Sequence, residues 1–255
     1  MLRSLISGST GNCSLVTYKD TNILVDCGMS GKRLEELLSE LDLTGFDLDA
    51  IVVTHEHIDH ISGIGVVSRR YNLPVYATEQ THLAMNIGKI AEENIKIIEP
   101  DRPFEIGRVI ADAFSIPHDA ADPVGYRFYC GKDKMSVATD IGTMTDELFD
   151  SISGSKAVIL EANHDIDMLI KGSYPEPLKS RILSNFGHMS NDLSAKTALS
   201  LVNRGTKQIM LSHLSNENNT PDLAYSSVAE KLEEGGVKKG DVQLIVANRY
   251  EVSSF

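Results

Sequence analysis

His55-Glu56-His57-Ile58-Asp59-His60, directly behind the apolar run Ile51-Val52-Val53 and Thr54, places four metal-ligand side chains within six residues at a strand end. Imidazole and carboxylate together suit borderline and hard divalent ions such as zinc, manganese or iron. Histidines two apart on an ordinary strand face the same way and can be no more than a polar surface cluster. The flanks argue otherwise, because Ile61-Ser62-Gly63-Ile64-Gly65-Val66-Val67 resumes an apolar pattern and sets the ligand types where a strand hands over to a helix. Loops held by rigid elements in this way are where catalytic groups usually stand.

A site of this kind needs further ligands from distant strand ends, and the chain offers them. Asp26 ends Ile23-Leu24-Val25, His118 follows Phe114-Ser115-Ile116-Pro117, Asp140 follows Met135-Ser136-Val137-Ala138-Thr139, and His213 follows Ile209-Met210-Leu211-Ser212. One Asp or His behind a strand is ordinary turn chemistry. Four of them, added to the first string, point to a metal-dependent hydrolase.

Strand-like segments recur at 2–7, 12–18, 23–26, 50–53, 75–77, 109–116, 124–130, 135–139, 157–161, 208–212 and 242–246, and helical periodicity falls at 31–41, 59–71, 175–184, 191–203 and 222–234, the last stopped by Gly235-Gly236. Early strands are joined by short turns and later ones alternate with helices. The mixture predicts a layered α/β sandwich, two mixed sheets packed together with helices outside. No linker or short-period repeat breaks the 255 residues, so one domain over 1–255 is expected.

Apolar residues are 42% of the chain and no run approaches the roughly 20 apolar residues of a membrane span. With one basic residue and a short apolar run at the N-terminus, the reading is a cytoplasmic protein without membrane association. Cys13, Cys27 and Cys130 form no Cys-x-x-Cys pair and are expected to be buried reduced thiols. The net charge of −12 opposes tracking along nucleic acid through a broad basic face, although bound divalent ions reverse the charge locally.

Asp26, the His55-x-His57-x-Asp59-His60 string, His118, Asp140 and His213, in that order, resemble the five motifs of the metallo-β-lactamase superfamily across essentially the whole chain. The resemblance implies an αββα sandwich, four-layered, with a dinuclear site at one sheet edge. It implies that His55, His57 and His118 hold one metal, that Asp59, His60 and His213 hold the other, that Asp140 bridges them, and that Asp26 orients the first motif through hydrogen bonds. Two divalent ions (Zn, Mn or Fe) about 3.5–4 Å apart lower the pKa of a shared water and polarise the bond under attack, so no protein nucleophile is needed.

Glu161-Ala162-Asn163-His164-Asp165 and Gly187-His188-Met189-Ser190-Asn191 resemble the ribonuclease Z and J branches, in which a histidine near the metals contacts the scissile phosphate or protonates the leaving oxygen. On that pattern Glu161 orients His188, with Asp59 as the third catalytic group; alternatively His188 lies beside a helix cap in a polar niche. Ser7-Gly8-Ser9-Thr10-Gly11-Asn12, Tyr174-Pro175-x-x-Leu178-Lys179-x-Arg181-Ile182 and Ser212-His213-Leu214-Ser215-x-Glu217-Asn218-Asn219 resemble the YycJ/WalJ subfamily of bacterial exonuclease-like proteins. The glycine-rich string lacks the Lys-Ser/Thr of a phosphate-binding loop and reads either as a tight hairpin or as a wall of the cleft. Lys179 and Arg181, with Lys171 and Ser190, are candidate phosphate contacts or the solvated face of a helix.

Two departures narrow the reading. The interval from Asp140 to His213 is too short for the inserted domain of ribonuclease J-type enzymes, and no long Gly-Pro arm resembles the transfer-RNA clamp of ribonuclease Z. Secreted lactamase activity is opposed by Asp59 and His60 where such enzymes place a cysteine. The expectation is a phosphodiesterase or nuclease, exonuclease-like, with DNA as its nucleic-acid partner. The alternative is a small-molecule metallo-hydrolase of thioesters, lactones or cyclic phosphodiesters, and a homodimer is compatible with either.

Overall fold

Lys19, in the left-handed region at φ 55°, turns the chain between two apolar runs and pairs them as a tight hairpin. A computed structural model describes all residues, Met1–Phe255, and divides them into one unit of Met1–Ser115, Ala120–Gly131 and Asn248–Ser254 and another of Ile116–Asp119, Lys132–Ala247 and Phe255.

In the first unit β1 (Leu2–Ile6), β2 (Cys13–Tyr18) and β3 (Thr21–Val25) form an antiparallel meander. After α1 (Gly31–Ser39) the chain adds β4 (Ala50–Val52) parallel to β3. The short helices α2 (Ile58–Ile61) and α3 (Ile64–Tyr71) lead to β5 (Val75–Ala77), and α4 (Glu79–Ala84) leads to β6 (Ile95–Ile97), each strand again parallel to the one before. A second antiparallel set follows: β7 (Phe104–Ile106), β8 (Val109–Ser115) and β9 (Val124–Cys130).

The sheet's core gathers Leu5, Leu15, Leu24, Ile51 and Val75 against Leu34, Leu37 and Leu38 of α1 and Ile64 and Val67 of α3. The i, i+3, i+4 spacing of the α1 leucines is the period that buries one helix face, and each such side chain contributes about 2 kcal/mol on burial. Ser30 caps α1 by accepting from Arg33 N.

In the second unit β10 (Asp133–Ala138), α5 (Asp146–Ile152), β11 (Ala157–Glu161), α6 (Ile166–Lys171), α7 (Glu176–Ile182), α8 (Asn191–Asn203), β12 (Gln208–Ser212), α9 (Pro221–Glu234) and β13 (Gln243–Val246) alternate, and the four strands pair in parallel, in sequence order. Helix α8 packs on α9, and α9 on β13. The tail, β14 (Ser253–Ser254), pairs antiparallel with β1 in the first unit.

Two registers matter for the site. Val25 of β3 lies opposite Val52 of β4, so Asp26 and the string that starts at Thr54 leave the sheet together. In the second unit Ala138, Leu160 and Leu211 are aligned, so Asp140, Glu161 and His213 all leave at one edge.

Most predicted elements form within a residue or two of their predicted bounds, but the helix expected over 59–71 is broken at Ser62-Gly63. There Gly63 N donates to Cys27 O at 2.8 Å, and a Cβ on Gly63 would lie 2.0 Å from Met29 O. The strands that escaped prediction, β6, β7 and β14, have two or three residues each and mostly exposed positions, too short for a period to register. The cysteines are buried thiols, as expected. No helix is long and apolar enough to cross a membrane.

Candidate metal centre

In the first unit Asp26 organises the histidine string. Its Oδ1 accepts Thr54 N at 2.8 Å, and its Oδ2 accepts the Thr54 hydroxyl at 2.8 Å and His60 Nδ1 at 2.8 Å. A carboxylate only accepts, so the His60 proton sits on Nδ1 and Nε2 keeps its lone pair. The Thr54 hydroxyl, committed to Asp26 as a donor, is 3.0 Å from His55 Nδ1 and fixes that ring in the same tautomer. The rings converge, with His55 centroids 4.2 Å from His60 and 4.5 Å from His57. Asp59 Oδ2 lies 3.5 Å from His60 Nε2.

The backbone beneath this string is fastened by the glycine-rich turn. Asn12 N donates to Asp59 O, Gly28 N to Asn12 O and Cys27 N to His60 O, each at 2.8 Å. Asn12 Nδ2 also reaches Asp59 Oδ2 at 3.1 Å and His60 Nε2 at 3.2 Å. Close approach requires glycine: a Cβ on Gly28 would fall 1.6 Å from Asp59 O, and one on Gly11 2.4 Å from Gly28 O. Residues 8–12 therefore form both a tight turn and a support for the site. Thr54 was not among the residues expected to act here; its only signal in the sequence is its place between a strand and the first histidine.

In the second unit the hub is Glu161, fully buried at the end of β11. Its Oε1 accepts His188 Nδ1 at 2.9 Å and His213 Nδ1 at 2.8 Å, while its Oε2 accepts Ile141 N at 2.7 Å and Met189 N at 3.1 Å. Burial pushes the Glu161 carboxyl up, but the charge and hydrogen bonds of His188 and His213 outweigh it and hold the group well below the usual carboxylate range. Asp140 Oδ1 stands 3.3 Å from His213 Nδ1, 3.6 Å from His188 Nδ1 and 3.8 Å from His118 Nε2. His118 Nδ1 donates to Gly187 O at 3.1 Å, and burial lowers its pKa against the opposing charge of Asp140. Asp140, Glu161, His188 and His213 offer ligand atoms all within 4.8 Å of one another.

The fit to a divalent cation rests on tautomers. His55 and His60 in one unit, and His118 and His213 in the other, each turn Nδ1 to a hydroxyl, carbonyl or carboxylate oxygen, which leaves the Nε2 lone pair free to face a cation. This is the arrangement that orients metal-binding imidazoles. The backbone contributes as well. Asp26, Asp140 and His213 adopt φ of 61°, 61° and 57°, a left-handed bend immediately after a strand that Asp and His enter more readily than other residues with a side chain.

The sequence profile described as the Beta-lactamase superfamily domain matches residues 21–214. The chain belongs to the metallo-β-lactamase superfamily. Within it, the chain is 41% identical over 239 residues to the Exodeoxyribonuclease YycJ of Bacillus anthracis, covering 93% of this chain and 90% of that one. It is 38% identical over 240 residues to the Exodeoxyribonuclease WalJ of Streptococcus pneumoniae serotype 2 strain D39, covering 92% and 89%. The metallo-β-lactamase fold protein YhfI from Bacillus subtilis superposes with a TM-score of 0.71 at 18% identity, over 99% of this chain and 98% of that one. The expected architecture of two mixed sheets flanked by helices is thus the architecture of the superfamily, and the protein is a hydrolase of that superfamily with His and Asp residues positioned for metal.

The candidate phosphate contacts are all engaged within the protein. Lys179 is buried, with Nζ on Ile170 O at 2.8 Å and Glu176 Oε1 at 3.1 Å. Arg181 Nε pairs with Asp119, half exposed, and the exposed Lys171 pairs with Asp167 at 2.6 Å. Ser190 caps α8 by accepting from Leu193 N at 3.3 Å.

His164 lies three residues past Glu161, just before α6. It is 1% exposed, neither ring nitrogen has a hydrogen-bond partner, and burial holds its pKa down to about 4 against the attraction of Glu161. The unfolded imidazole titrates near 6.5, so below that pH the unfolded chain takes up a proton that the folded chain refuses. Stability from this group is complete above the unfolded pKa and is lost as pH falls towards 4. Urea unfolding should show wild type losing about 2 kcal/mol more than His164→Leu between about pH 7.5 and 5; equal slopes would refute the assignment.

Proposed function

We propose that the protein is a dinuclear metal-dependent phosphodiesterase acting on nucleic acid, an exonuclease on DNA. The observation that carries this reading is the Glu161–His188 pair, a fully buried carboxylate 2.9 Å from the Nδ1 of a part-exposed imidazole. Names borne by relatives at 41% and 38% identity agree with it. On this reading His55, His57 and His118 hold one divalent ion, Asp59, His60 and His213 the other, Asp140 serves both, and Asp26 steers the first string. When bound, such ions make water acidic enough to attack near neutral pH and offset charge on the phosphoryl oxygens.

The chain's own groups do the rest. Glu161 accepts from His188 Nδ1, which fixes the ring and makes Nε2 the atom that carries a proton to the leaving group. As water adds to phosphorus its proton passes to Asp59, and as the P–O bond to the leaving strand breaks the proton on His188 Nε2 passes to the departing oxygen. Arg181 and the Ser190 hydroxyl lie on the elements flanking His188, on α7 and at the start of α8, and are the proposed contacts for neighbouring phosphates.

The test is metal analysis of the purified protein, followed by single-stranded DNA, duplex DNA, RNA, bis-p-nitrophenyl phosphate and a thioester with each ion. His188→Ala should cost about 10²–10⁴-fold on DNA, whose alkoxide leaves poorly, and far less on the nitrophenyl ester, whose leaving group needs no proton. Hydrolysis of the thioester alone, or equal losses on both phosphodiesters, removes the proposal in favour of a small-molecule hydrolase.

A further inference from the structure

The loop between α7 and α8 presents an aromatic ring to solvent. Phe186 is 58% exposed and Leu183, three residues earlier, is 47% exposed, although a ring in water costs free energy that an interior position would recover. The backbone carrying the ring is tightly constrained. Gly187 N donates to Ser184 O at 3.0 Å, His188 N to Ile182 O at 3.0 Å, and Phe186 N to Ser184 Oγ at 3.3 Å. A Cβ on Gly142 would lie 2.2 Å from Asn185 O and 2.5 Å from Phe186 N, so the loop rests directly on that glycine.

The same backbone is bonded to the candidate site. Asp119 N donates to Phe186 O at 3.1 Å, and His118 Nδ1 donates to Gly187 O at 3.1 Å. The exposed ring is therefore rooted one residue from the carbonyl that orients His118 and two residues before His188. Asp119, whose N bonds Phe186 O, also holds the half-exposed cation Arg181 through its carboxylate.

A nucleobase answers this combination. Every base has a π face that an aromatic ring can stack on, and the sugar-phosphate attached to it needs only a local cation. The charge balance of 24 basic against 36 acidic residues opposes binding through a broad basic face, which gives stacking near the site more of the binding to supply. We propose that Phe186 is the stacking platform for the base adjoining the scissile phosphate, and that the substrate class is accordingly DNA with an unpaired end, since a base within a duplex has no face to offer. This inference rests on the phosphodiesterase reading above.

The chain has no tryptophan, so Phe186→Trp installs a single reporter. Titration with a short oligothymidylate carrying phosphorothioate linkages should quench its emission, and the same oligomer with an abasic terminal nucleotide should leave it unchanged. In kinetics, Phe186→Ala should raise KM about tenfold on single-stranded DNA, the scale of one base–aromatic stack. Combining it with an abasic end should cost no more than either change alone. Additive losses, emission indifferent to an oligomer that the enzyme cleaves, or a dimer that Phe186→Ala splits into monomers would each overturn the platform, the last by assigning the ring to a second copy of the chain. Unaltered urea midpoints for both variants confirm that the fold is intact. If wild type cleaves no DNA, the phosphodiesterase reading falls first; if it cleaves DNA and Phe186→Ala behaves as wild type, only the platform falls.

Discussion

Glu161→Gln should lower activity about a hundredfold and destabilise the fold by about 3 kcal/mol, although it changes one atom of a side chain. The carboxylate receives four N–H donors, two imidazoles on Oε1 and two backbone amides on Oε2. An amide keeps one oxygen and presents two hydrogens where the other stood. If its nitrogen faces His188 and His213, both rings lose the acceptor that sets their tautomer. If it faces Ile141 and Met189, two amide hydrogens are buried against a donor, each costing about 1–3 kcal/mol. Neither rotamer is satisfied. Urea unfolding and metal content measured together check this, and a Gln variant with wild-type stability and full metal would show that Glu161 is only a filler of space.

The second large effect is at Gly28. An alanine there sets its Cβ 1.6 Å from Asp59 O, 2.5 Å from Asp59 C and 2.7 Å from Asn12 N, all backbone atoms that no side-chain rotation can move. The segment bearing Asp59 and His60 must shift by more than an ångström. Displacement of that size at reacting groups costs about a hundredfold or more in rate. The expected result for Gly28→Ala is activity near background and a marked loss of bound metal. Gly31→Ala is the control: its nearest neighbour would be Val66 at 3.5 Å, an ordinary contact at the first residue of α1, and it should behave as wild type. Gly28→Ala with normal turnover would mean that the close approach has no role.

The site was legible in the sequence to the extent that its residues announce themselves locally. Apolar runs followed at once by Asp or His gave Asp26, His55, Asp140 and His213, because a parallel strand and the ligand at its end are contiguous in the chain. The pairing of Glu161 with His188 could be anticipated from motif resemblance, whereas its second bond to His213, 52 positions away, could not. Only the parallel register of β11 and β12 brings those two together. Asn12 stood inside a string whose composition fitted a hairpin as well as a wall, and its bonds to Asp59 and His60 decide that it is both. The break at Gly63 escaped because periodicity continues across it; the cause is a carbonyl from another segment.

The left-handed bends at Asp26, Asp140 and His213 limit how this scaffold can be retooled. A β-branched residue in that conformation pays a steric penalty before any ligand chemistry is considered, whereas Asn and Gly enter it cheaply. On the proposed ligand assignment, exchange of donor atoms at Asp140 and His213 is therefore open to a short menu of residues, and threonine or valine would be refused by the main chain alone. Selection for new ion preference should accordingly find its changes at His55 and His57, whose φ is unexceptional, before it finds them at Asp140 or His213.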